Sequence, residues 1–277
     1  MRIGVDVSQH HLHWPDLKAR VQFAEAAGFD GVWLFDHFTP LYGSSSGPCF
    51  EAWTALAALA ACTERIRLGT LVTGVTYRHP SILATEAVTV DHVSGGRLEM
   101  SIGAAWFADE HRALGIDFPP AGERADRLEE AIVVMKALMT RDHATVEGRH
   151  YRLRDATYGP RPVQRPHPPI WVGAGGRRRT IPIAARHADV WHSFGSVEEM
   201  RQKSAVLDDH AGRAGRDPSS IVRATNLSIS ESWDEVLDTA LGMRDIGISY
   251  LIVSWPGDGQ SRVEEFLDRV APELATP

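Results

Sequence analysis

Cysteine is scarce in this chain. Cys49 and Cys62 are the only two among 277 residues, and they have no metal-ligand spacing. A disulfide framework is therefore not indicated, no metal is expected, and a reducing cytoplasm is the predicted setting. Long apolar runs are missing too: no segment approaches the roughly 18 consecutive apolar residues of a membrane span, so no membrane partner is expected. Residues 1–7 read as a strand, not a signal peptide. Positive charge is in deficit, with a net charge of −7, which argues against a polyanion-binding surface and against nucleic acid as a partner. Repeats, low-complexity tracts and interdomain linkers are also absent. Residues 1–277 read as a single domain whose 43% hydrophobic content is enough for a full core.

What is present is an alternation of short apolar runs with amphipathic stretches, the pattern of parallel strands covered by helices. Eight candidate strands fall at 2–7, 31–35, 66–72, 98–102, 170–172, 189–192, 221–227 and 248–253. Leu128, Ala131, Ile132, Met135, Leu138 and Met139 mark one intervening helix at three- and four-residue spacing, and Val263, Phe266, Leu267 and Val270 mark the last. Eight such units in a chain of this length predict an α/β fold, a (β/α)8 TIM barrel with insertion loops at the C-terminal face. Two excursions interrupt the alternation, at 106–122 and at 144–169. Function is expected on long loops at the C-terminal face, where barrel active sites are assembled.

The most informative stretch runs from 168 to 180. A short strand leads into Gly173, Ala174, Gly175 and Gly176, and then into Arg177, Arg178 and Arg179. Bare amides, a helix N-terminus and guanidinium groups would converge on one anion, most simply a coenzyme phosphate. The dinucleotide fingerprint is absent, because its third glycine would fall on Arg178. A structural reading remains: the glycines allow a tight turn and the arginines form a solvated helix face.

Asp36-His37 directly follows the second strand and should lie at the barrel mouth. Either Asp36 caps a turn and His37 satisfies a loop carbonyl, or the histidine contacts a cofactor ring and relays a proton. Thr73 and Gly74 would sit beside them, where small residues let a flat ring approach. His192 ends the sixth strand and is a second proton-transfer candidate, or a packed strand-end residue. His10, His11 and His13 lack the carboxylate or cysteine spacing of a metal site and suit pocket lining better. Trp14, Trp106, Trp191 and Trp255 either wall a pocket for a planar ligand or pack the barrel.

Several passages in order resemble the bacterial luciferase-like monooxygenase superfamily: residues 29–37, 69–80, 94–103, 118–124 and 169–180. The resemblance covers nearly the whole chain and is strongest to the coenzyme F420-dependent branch. It implies a barrel that binds F420, or alternatively FMN, at the strand C-termini, often as a homodimer, and that transfers a hydride to or from a small organic substrate. Within it, His37 is the proton donor or acceptor, Asp36 orients it, and a bulge with a non-proline cis peptide falls around Leu71-Val72. Coenzyme contacts are implied for Asp36, His37, Leu71, Val72, Thr73, Gly103, Ala104, Trp106, Ala174, Gly175, Gly176 and Arg177. Trp106 stands where similar sugar-phosphate dehydrogenases have a catalytic glutamate, with Asp109 and Glu110 close by. A coenzyme-binding protein without turnover is therefore a further reading.

Overall fold

In the computed structural model, which describes residues 1–275, strands and helices alternate from Arg2 onward. The first half contains β1 (Arg2–Asp6), α1 (Trp14–Ala26), β2 (Gly31–Leu34), α2 (Ala52–Ala60), β3 (Arg67–Thr70), β4 (Thr73–Gly74), α3 (Pro80–Val93), β5 (Leu98–Gly103), α4 (Ala108–Leu114) and α5 (Ala121–Thr140). There follow β6 (His143–Glu147), β7 (Arg152–Thr157), β8 (Ile170–Gly173), α6 (Thr180–His187), β9 (Val190–His192) and α7 (Val197–Arg213). The chain closes with β10 (Val222–Leu227), α8 (Trp233–Asp245), β11 (Tyr250–Ser254), α9 (Gln260–Arg269) and α10 (Ala271–Ala275).

Strands β3, β2, β1, β11, β10, β9, β8 and β5 pair in that order, and β3 pairs with β5 to close the barrel, all in parallel. This is the predicted (β/α)8 architecture, with all eight strands where the apolar runs placed them. The third strand differs in detail. It breaks at a cis Leu71-Val72 peptide and resumes as β4. Leu68 faces Leu98 but Thr73 faces Ile102, so β3 and β4 together carry one residue more than β5 over the same length. That extra residue is a bulge.

Two apolar cores result. One lies between the strands and the helix ring; the other fills the lumen with Trp33, Trp171 and Tyr250, whose rings lie 4.3 to 6.3 Å apart. A Cβ on Gly69 would stand 2.4 Å from Trp33, so the indole takes the space that a side chain there would need. The packed lumen makes the barrel a solid floor, and ligands must bind at its mouth.

The excursion after β5 does emerge at the C-terminal face and folds into α4. The excursion at 144–169 does not. It connects α5 to β8, so it starts from the opposite end, and it contains the antiparallel β6–β7 hairpin. Glu130 of α5 holds the hairpin turn by accepting from the amides of Arg149, His150 and Tyr151. A second long mouth connection, 35–51, was not singled out by the alternation. None of the described helices is long and apolar enough to cross a membrane.

Candidate active site

A cavity of about 510 Å³ opens at the strand C-termini, bounded by the connections after β2, β4, β5, β8 and β9. His37 is on its wall, 8% exposed. Its Nδ1 lies 2.9 Å from Oε2 of Glu110, which projects from the first turn of α4. The same carboxylate oxygen accepts from the Tyr77 hydroxyl, and Oε1 accepts from the amides of Phe38 (2.8 Å) and Thr39 (3.0 Å) and from the Thr39 hydroxyl (3.1 Å). Burial pushes the Glu110 pKa up, but hydrogen bonds from His37 and Tyr77, the His37 charge and the Phe38 amide outweigh it and bring it down to about 2. An ionised carboxylate can only accept. Nδ1 of His37 therefore carries a proton, and Nε2 is the free ring nitrogen.

Helix α4 is itself anchored. His111 is buried, stacks on Tyr77 at 4.7 Å and bonds Thr76 through Nε2 and the Phe107 carbonyl through Nδ1. Arg124 clasps the base of the excursion, donating to the carbonyls of Ala104 (3.0 Å) and Pro119 (2.5 Å) while lying over the Phe118 ring.

Asp36 does not orient His37. It is buried in a bidentate pair with Arg78 (2.7 and 3.0 Å), and Arg78 also binds Glu51 and Glu86. Side chains alternate in direction along an extended segment, so Asp36 turns toward α2 and α3 while His37 faces the cavity. Thr73 also turns away: its hydroxyl accepts from the Trp53 indole and pairs with Thr70. Gly103 lies beneath Val72, because a Cβ there would meet the Val72 Cγ2 at 2.7 Å; one on Gly173 would meet it at 2.8 Å. Leu71 and Val72, the residues of the cis peptide, thus cover the strand ends and line the cavity with Ala104 and Trp106.

Beyond β8, Ala174 and Gly175 line the cavity, whereas Gly176 and Arg177 do not. The Gly176 amide is satisfied by the Thr180 hydroxyl at 2.9 Å. Helix α6 begins at Thr180, after the arginines rather than with them. Arg177 reaches Gln202 and Arg179 reaches Asp126, so the three guanidinium groups do not converge. Among the described residues the amides of Gly175, Arg177 and Arg178 donate to no protein acceptor. The Ser193 hydroxyl, buried on the cavity wall, also has no partner. Trp191 does not touch the cavity but braces the turn by donating to the Ala174 carbonyl at 2.8 Å.

His192 lines the cavity and bonds Asn226 at 2.8 Å; burial pushes its pKa down to about 4, and the Asn226 bond only partly offsets this. Of the other tryptophans, Trp14 packs on Phe50 and Trp255 on Phe23, away from the cavity. His10 is buried and accepts from the Leu41 amide, while His11 bonds the Tyr42 carbonyl, so both brace the 35–51 connection. The sequence reading missed Tyr77, Ser193, Phe194 and Lys203 on the cavity wall. Phe194 and Lys203 carry no motif of their own. Ser193 could have been found from its place just after a strand end.

A parallel barrel with a packed lumen, an amide-rich turn at one wall of its mouth and a carboxylate-held histidine at another defines a (β/α)8-barrel enzyme. Residues 1–266 match the family model described as luciferase-like monooxygenase. The chain belongs to that family.

It is 33% identical over 246 residues to an F420-dependent glucose-6-phosphate dehydrogenase of Microbacterium testaceum, covering 87% of this chain and 71% of that one. It is 32% identical over 227 residues to an FMNH2-dependent dimethylsulfone monooxygenase of Pseudomonas putida, covering 79% and 61%. Among solved structures, an F420-dependent secondary alcohol dehydrogenase superposes with a TM-score of 0.89 at 19% identity, over 99% of both chains. At that identity the likeness is one of fold.

Proposed function

We propose that this chain is a coenzyme F420-dependent oxidoreductase acting on a small organic substrate in the mouth cavity. The observation that carries the reading is the buried Glu110–His37 pair beside an apolar floor of Leu71, Val72 and Ala104. The residues present fit the coenzyme. The free amides of Gly175, Arg177 and Arg178 and the unpartnered Ser193 hydroxyl suit a phosphate. Small and aliphatic side chains at 71, 72 and 104 suit a flat ring system, and exposed Arg178 suits an acidic tail.

When bound, F420 supplies a ring carbon that gives or takes a hydride. The protein positions, excludes water and manages the proton. Glu110 keeps Nδ1 of His37 protonated, so Nε2 is the atom that exchanges a proton with the substrate. Trp106 and Phe107 pack edge-on against the His37 ring at 5.8 Å, which restricts water beside it. A carboxylate supplied by α4 supports turnover over coenzyme binding alone.

The second reading is an FMN-dependent monooxygenase, favoured by the Pseudomonas putida relative's nearly equal identity. Titrating the purified protein with F420 and with FMN separates the two. Tight FMN binding without F420 binding rejects the first reading. His37→Ala should slow hydride transfer about 100-fold or more while coenzyme affinity stays largely intact; an unchanged rate removes the role assigned to His37.

A further inference from the structure

Two histidines face the cavity, and they are held in different ways. Behind His37 stands a carboxylate. Behind His192, at the end of β9, stands a neutral amide: Nε2 lies 2.8 Å from Oδ1 of Asn226 on β10. The other end of that amide donates to Oδ2 of Asp6 on β1 at 2.8 Å, and the hydroxyl of Ser254 on β11 donates to the same oxygen at 3.0 Å. Four adjacent strands thus contribute one residue each to a chain of hydrogen bonds in which Asp6 and His192 are buried and Asn226 and Ser254 half-buried.

The chain has a direction. With Oδ2 of Asp6 unprotonated, as its two incoming hydrogen bonds require, that oxygen can only accept, so the NH2 of Asn226 faces Asp6 and its carbonyl faces His192. Nε2 of His192 must therefore donate. That leaves Nδ1 bare and able only to accept. Nδ1 has no partner among the described residues and is not sealed off by protein, and the ring borders the cavity. Burial disfavours the imidazolium, which keeps the ring neutral. A three-residue support that fixes one tautomer and leaves its acceptor open toward a cavity is organised for a ligand with a donor.

We infer that His192 is a substrate-recognition residue that offers Nδ1 to a hydroxyl or amine on the bound molecule, and that Asn226, Asp6 and Ser254 are positioning residues that fix its tautomer. The inference names the substrate class for the cavity and rests on the functional reading above. A substrate with the donor masked should bind about tenfold or more weakly, because the buried acceptor is then left unpaired.

The test is nitrogen-15 NMR of the histidine rings in the purified protein without added coenzyme. Expected is an Nε2-protonated His192 at neutral pH, whose Nδ1 resonance shifts on titration with cyclohexanol or benzyl alcohol and not with the corresponding methyl ethers. His192→Phe should abolish the preference for alcohol over ether. Asn226→Asp puts a carboxylate directly behind the ring and should protonate Nδ1, which removes the acceptor and with it the preference for alcohol over ether. A wild-type ring protonated on Nδ1, equal responses to alcohols and ethers, or no response to either overturns the inference. A protein that fails to bind F420 yet shows the alcohol response overturns the coenzyme reading and leaves this one standing.

Discussion

Glu110 and His37 are 73 residues apart in the chain and 2.9 Å apart in space, and the carboxylate that joins them accepts from five donors. Glu110→Gln replaces an obligate acceptor with a group that also donates, so His37 loses its fixed tautomer. Turnover should fall by about 100-fold or more. Unfolding stability should drop by about 2 to 4 kcal/mol. Because the folded pKa is depressed to about 2 from 4.5, the wild-type contribution is present above the unfolded value and is lost as pH falls through the folded one. Urea titrations from pH 7 down to pH 3 should therefore show the variant and the wild type converging at low pH. Parallel curves would refute the ionic role.

The cavity floor depends on Val72 lying across two glycines. Gly103→Ala places a methyl 2.7 Å from the Val72 Cγ2, and the close strand packing leaves it little room to yield. A stability loss of about 1 to 3 kcal/mol is expected. A clear fall in F420 affinity should accompany it, read by fluorescence titration. Retained affinity would mean that Val72 is not part of the floor on which the ring rests.

Asp36 and Arg78 form a buried pair that joins the connections after β2 and β4 to α2 and α3. Arg78→Met should cost about 3 to 5 kcal/mol, because it leaves the Asp36 carboxylate buried without its partner. Double replacement with Asp36→Asn should recover part of that loss. Thermal unfolding of the single and double variants measures the coupling. If Asp36→Asn alone abolished turnover at unchanged stability, the structural role assigned to Asp36 would fail.

Asp6 is the reverse of Glu110. Burial raises its pKa from 3.8 to about 7, only partly offset by the hydrogen bonds it accepts from Ser254, the Trp255 amide and Asn226. The folded protein then holds more protons than the unfolded chain between those values, so stability declines as pH rises through that window. Asp6→Asn can still accept from Asn226 and removes the decline. Relative to wild type, the variant should gain about 2 to 4 kcal/mol between pH 4 and pH 8. Equal differences at both ends would show that Asp6 titrates normally.

The sequence by itself determined the barrel. Eight apolar runs separated by amphipathic helices leave few ways to bury both faces of every strand, and all eight strands form where those runs lie. It also placed His37, Ala174 and Gly175 at the mouth, because residues that follow a parallel strand emerge there. Tertiary structure decided which partners they have. Asp36 is next to His37 in the chain yet faces the other way, because neighbouring side chains in an extended segment point to opposite sides. Glu110 reaches His37 only because α4 folds back onto the 75–78 turn. The arginines after Gly176 diverge because α6 starts three residues later than the glycines suggest. Periodicity is a local property that one strand or helix expresses alone, whereas a hydrogen bond across a cavity depends on where several connections come to rest.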